Sequence, residues 1–127
     1  MFESVLFPID PTREDLSTAE KAIELARKHD SHLILLAIKQ MDKPEINNEK
    51  SIDSLLKKVK EEIEKKSISC EVMEQQGKPA FVICDVADEL SVDLIVMGTR
   101  GINLQEDNKS TAAQVIQFAP CPVLVVP

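Results

Sequence analysis

The chain has 127 residues, 43% hydrophobic, 29% charged and only 3% aromatic, which excludes disordered, fibrous and collagen-like classes and sets a single globular domain over residues 1–127 as the expectation. Its 15 basic against 22 acidic residues leave a net charge of −7, a field that repels polyphosphate backbones and argues against nucleic-acid binding. No apolar run approaches the ~20 residues that span a bilayer, and the opening MFESVLFPID has no basic leader, so a cytoplasmic chain without a membrane partner is expected.

Ser4 to Ile9 (SVLFPI) is a short apolar run closed by Asp10 and Pro11, which predicts a buried strand followed by a turn. The next helix has Thr12 or Ser17 as N-cap, the latter with Glu20 as a capping box, and an inward stripe of Ala19, Ala22, Ile23 and Ala26. Leu33 to Ile38 (LILLAI) is continuously apolar, the pattern of a parallel strand covered on both faces. Asp42 to Asn48 is expected to be loop. Asp42 to Lys66 carries seven acidic and seven basic residues, and Ile52, Leu55, Leu56, Val59 and Ile63 recur at helical intervals, so one face docks and the other is solvated.

Ile68 to Glu74 alternates apolar and polar residues, as a strand near a sheet edge does. Gly77-Lys78-Pro79 then turns the chain into a helix with Ile83, Val86, Ala87 and Leu90 inward; Asp85, Asp88 and Glu89 form its solvated side. Asp93 to Met97 (DLIVM) reads as another buried strand. A loop from Gly98 to Asn108 follows, then a helix with Ala112, Val115, Ile116 and Ala119 inward, stopped by Pro120 and Pro122. Val123 to Val126 (VLVV) closes the chain as a strand. Five strands alternating with four helices define a doubly wound α/β fold, a parallel sheet with helices on both faces.

Ligands of such sheets sit beyond the carboxyl ends of the strands, at the switch point. Two strand exits qualify: Phe7-Pro8-Ile9-Asp10, and Met97-Gly98-Thr99-Arg100-Gly101, which holds two of the three glycines in the chain. Gly98 and Gly101 remove Cβ where a ligand or neighbouring strand approaches, and the loop they open exceeds the usual ~2–6 residues. Beyond it, Lys109-Ser110-Thr111 at a helix N-terminus offers an ammonium, two hydroxyls and free amides to a phosphate, or Ser110 serves simply as N-cap. His29 and His32 lack the convergent partners a metal site needs, and no Ser-His-Asp or Cys-His spacing suggests nucleophilic catalysis. Cys70, Cys84 and Cys121, odd in number and without a C-x-x-C pair, are expected to be reduced, mostly buried thiols.

The order of elements and the segments V-L-F-P-I-D, G-K-P-A, D-L-I-V-M-G-T-R-G and A-P-C-P-V-L-V-V resemble the universal stress protein family over essentially the whole chain. The resemblance implies a Rossmann-like sheet ordered 3-2-1-4-5, a stress-response role, dimerisation and, as in many members, an adenine nucleotide across the first and fourth strands. In those members an Asp closing the first strand and a hydrophobic residue closing the second contact the adenosine; Asp10 and Ile38 occupy these places, and Met97, Gly98 and Gly101 also match.

The family's phosphate motif then runs G-x-x-G, nine residues, G-[ST], and here the pattern departs. Aligned from the closing A-P-C-P, Lys109-Ser110 stands at the Gly-Ser place and the spacer shortens to seven residues, among them Glu106 and Asp107. Triphosphate binding in the usual manner is therefore not expected. Lys109 acting as a point charge on the phosphates, a nucleotide with fewer phosphates, so that ATP or AMP is the expected cofactor if the cleft is filled, or an empty cleft that leaves an interaction protein are the remaining outcomes. A slow nucleotide hydrolase is the least favoured reading, because no catalytic residue or magnesium ligand set is evident. The last strand, at a sheet edge in the implied order, predicts a homodimer made by Val123 to Val126 of two antiparallel chains.

Overall fold

The continuous apolar runs form the inner strands of one sheet, as their burial on both faces requires. The computed structural model describes residues 2–9, 16–39, 49–98 and 111–127. In chain order they form β1 (Ser4–Ile9), α1 (Leu16–His29), β2 (His32–Lys39), α2 (Glu49–Lys65), β3 (Cys70–Gln76), α3 (Pro79–Glu89), β4 (Leu94–Gly98), α4 (Thr111–Phe118) and β5 (Val123–Val126). The strands are ordered β3-β2-β1-β4-β5, and every neighbouring pair is parallel. The doubly wound α/β architecture is the one the sequence predicts, and the 3-2-1-4-5 order is the one the family resemblance implies.

Alternate residues of the inner strands enter opposite halves of the core. Leu33, Leu35 and Ala37 of β2 pack with Ala22, Ile23 and Ala26 of α1 and Val59 and Ile63 of α2. Ile34, Leu36 and Ile38 pack with Ala80, Ile83 and Val86 of α3 and Ala112 and Val115 of α4. The small alanines on α1 let its backbone approach the sheet closely.

Several local expectations are corrected. Ser17 lies inside α1, which already includes Leu16, so it is not the N-cap; the other candidate, Thr12, lies outside the described residues. The stretches expected as loop, 42–48 and 99–108, lie outside them too, while Gly98 belongs to β4. Ile68 precedes β3 rather than starting it. Leu90 is not inward: it is the C-cap of α3, where the helical path ends, and it is 40% exposed. Ile116 is also outward, 58% exposed, while Ala112 and Val115 are the residues of α4 that are buried. The three thiols are half-buried rather than mostly buried.

Three helices end by one device that the sequence conceals. Asp30, Ser67 and Ser91 all have left-handed backbones, with φ of 53°, 57° and 51°. In each case the following amide reaches back to the last helical turn: Ser31 to Ala26 O at 2.8 Å, Ile68 to Ile63 O at 3.3 Å, Val92 to Ala87 O at 3.1 Å. This is the Schellman arrangement, made without glycine. Ser67→Gly relieves the steric cost of that conformation and removes no buried contact. It should raise stability by about 0.5–1 kcal/mol; urea denaturation checks this, and an unchanged midpoint would contradict it.

Candidate functional site

Backbone hydrogen bonds fix which way β1 faces. The Glu3 carbonyl accepts from the His32 amide toward β2, and the Ser4 carbonyl accepts from the Asp93 amide toward β4, each at 2.8 Å. Alternate residues of a parallel strand turn to alternate neighbours, so Ser4, Leu6 and Pro8 turn toward β4. Pro8 has no N–H to give. The β1–β4 pairs accordingly stop at Leu6↔Ile95, whereas β1–β2 pairing continues to Ile9↔Ala37 and β4–β5 pairing to Gly98↔Val126. The β1–β4 ladder thus ends before the carboxyl ends of the two central strands, the crevice region where open α/β sheets bind ligands. Proline within a strand signals a broken ladder, so Pro8, within the first of the two strand exits, is the sequence signal for where β1–β4 hydrogen bonding ends.

The two sides of the crevice differ. Ile38 and Met97, 9% and 5% exposed, belong to the core half under α3 and α4, and form an apolar side. Gly98 points the other way, toward α1: a Cβ there would meet Thr18 Oγ1 at 3.1 Å and the Val126 carbonyl at 3.7 Å. What approaches Gly98 among the described residues is thus a helix and the backbone of β5. Thr18, only 9% exposed, stands one helical turn before Ala22 and continues the inward side of α1 with a polar residue that the apolar stripe leaves out. Thr111 opens α4, half-buried, with no acidic residue in its first turn. Four predicted residues, Asp10, Gly101, Lys109 and Ser110, lie outside the described residues.

At the opposite end of the sheet, folding joins groups far apart in sequence. The Ser69 hydroxyl and His32 Nδ1 are 2.6 Å apart, and His32 Nε2 lies 3.3 Å from Glu71 Oε1. This chain has the connectivity of a serine–histidine–acid relay, which a separation of 37 residues hides from any spacing argument. His32 and Glu71 are 39% and 51% exposed, so the chain is a solvated clasp between β2 and β3. Burial, the largest cause in each case, raises the Cys70, Cys84 and Cys121 pKa values and keeps the thiols protonated. Among the described residues no three His, Cys, Asp or Glu side chains converge to hold a metal, and no helix is long and apolar enough to cross a membrane.

Comparison with known proteins agrees with this architecture. The model of the universal stress protein family matches residues 1–127. Universal stress protein Sll1654 of Synechocystis sp. is 38% identical over 136 residues, covering 100% of this chain and 87% of that relative. A universal stress protein solved in complex with cAMP superposes with a TM-score of 0.79 at 21% identity, covering 98% of this chain and 96% of that one. One from Archaeoglobus fulgidus, solved in complex with dAMP, gives a TM-score of 0.73 at 21% identity over 100% of both chains.

Proposed function

The chain belongs to the universal stress protein family, and from that premise we propose that it is a cytoplasmic, dimeric stress-response domain whose crevice takes an adenine nucleotide with few phosphates, AMP in preference to ATP. The observation that carries this reading is the strand order β3-β2-β1-β4-β5, which places the switch point, where such folds bind ligands, between the carboxyl ends of β1 and β4. Asp10 follows β1 directly in the chain, and Ile38, Met97 and Gly98 stand near the ends of their strands beside the crevice. Universal stress proteins of the same fold have been solved in complex with cAMP and with dAMP, each an adenine nucleotide with a single phosphate.

The phosphate end supports the preference for a monophosphate. Lys109 in place of a motif glycine, and Glu106 and Asp107 within a spacer of seven residues, oppose a polyphosphate by bulk and by charge. This is a binding domain rather than an enzyme, acting through occupancy of the crevice.

The sequence has no Trp and no Tyr, so the protein scarcely absorbs near 260 nm and any co-purified adenine is visible directly. Calorimetric titration with AMP, ADP and ATP should give AMP binding with Kd about 100 μM or tighter, ATP no tighter, and loss of both in Asp10→Ala. No adenine absorbance and no heat with any of the three would overturn the nucleotide reading and leave a protein that acts through partners.

Dimerisation rests on β5, an edge strand with Leu124 41% exposed, packed against α4, which exposes Ile116 and Phe118 at 58% each. Two such edges pairing antiparallel bury apolar surface and satisfy open backbone groups at once. Val125→Lys should convert a dimer at micromolar concentration into a monomer by light scattering; an unchanged dimer would place the interface elsewhere.

A further inference from the structure

We infer that Thr18 of α1 is a ligand contact in the crevice and that its hydroxyl bonds a ribose hydroxyl of the bound nucleotide; the inference rests on the adenine-nucleotide reading above. Thr18 is more than nine-tenths buried, yet no hydrogen bond joins its hydroxyl to another described residue. Polar groups in folded proteins that lack a protein partner are reached by solvent or ligand. No described polar side-chain atom is both sealed from solvent and unpartnered, so this hydroxyl keeps an opening.

The hydroxyl lies at the carboxyl end of β4. Thr18 stands in the first turn of α1, directly over Gly98, the last residue of β4. The missing Cβ of Gly98 is what admits the hydroxyl, which would otherwise be 3.1 Å from a methyl carbon. Chemistry selects the ligand group. Ile38 and Met97 make the α3 and α4 side apolar and suited to the adenine face, which leaves the polar part of the nucleotide for the side of Gly98 and Thr18. A hydroxyl both donates and accepts, and pairs with another hydroxyl without charge.

The test is a cycle between protein and ligand. Thr18→Val keeps the side-chain shape and removes the hydroxyl; Thr18→Ser keeps the hydroxyl; Thr18→Ala removes it without adding apolar bulk should the valine variant fold poorly by circular dichroism. Against AMP, Thr18→Val should weaken binding about 3- to 10-fold and Thr18→Ser by less than about 2-fold. Against 2′,3′-dideoxy-AMP, Thr18→Val should bind as the native protein does. Equal losses for both nucleotides, or none for either, would overturn the ribose contact while leaving the nucleotide reading intact. Native protein that binds neither nucleotide would overturn that reading, and this inference with it.

Discussion

Leu35→Ala should lower the folding free energy by about 3–4 kcal/mol, a large share of the stability of a domain this size. Leu35 is in the middle of β2, wholly inaccessible, paired with Phe7 on one side and Val72 on the other. It belongs to the core half shared with α1 and α2. Truncation loses the transfer free energy of the buried carbons and leaves a cavity that two hydrogen-bonded neighbours hold open, since the strands cannot close without breaking register. Natural domains are stable by roughly 5–15 kcal/mol, so the variant should retain its fold at 25 °C with a much lower urea midpoint and a Tm lower by roughly 10 °C or more. A loss under about 1 kcal/mol would mean that the core relaxes into the gap.

Gly77→Ala should cost about 2–4 kcal/mol, a large effect for one methyl group at a half-buried turn. Gly77 has φ of +138°, a conformation that side chains rarely adopt, and an added Cβ would lie 2.9 Å from Val82 Cγ2. Val82 is branched at Cβ and packs on the α3 half of the core, so it yields only by shifting the helix. The Gly77 amide also donates to the Lys39 carbonyl at 3.1 Å, tying the turn to the end of β2. Lys78 then supplies the extended N-cap without a side-chain hydrogen bond, Pro79 takes the first helical position, and Ala80 is buried. The G-K-P-A segment is thus a set of backbone requirements, each residue meeting one. Because α3 packs beside Ile38, the variant should also weaken AMP binding. Thermal denaturation and titration on one sample test both effects, and a Tm within about 2 °C of the native value would contradict the strain argument.

The sequence by itself determined what periodicity and volume encode. Unbroken runs such as Leu33 to Ile38 could only be strands covered on both faces, and Ala19, Ala22, Ile23 and Ala26 could only be the docking side of a helix. With connections that must be helical, these left a parallel, doubly wound sheet, and the motif order carried the family. Helix ends were less legible, because Asp30, Ser67 and Ser91 cap helices in a conformation usually signalled by glycine. Leu90 and Ile116 extend a helical stripe yet are exposed, Leu90 because the helix stops there, and a stripe does not record its own end.

Tertiary structure alone decided which groups meet. The partner of Gly98 is Thr18, 80 positions earlier in the chain, and His32 meets Ser69 and Glu71 across two strands. Such contacts depend on strand order and on the alternation of backbone hydrogen bonds between neighbours, neither of which a local window contains. The end of the β1–β4 ladder is the clearest case. Pro8 is visible to any reader of the sequence, but its missing N–H matters only because the parity of β1 turns that residue toward β4.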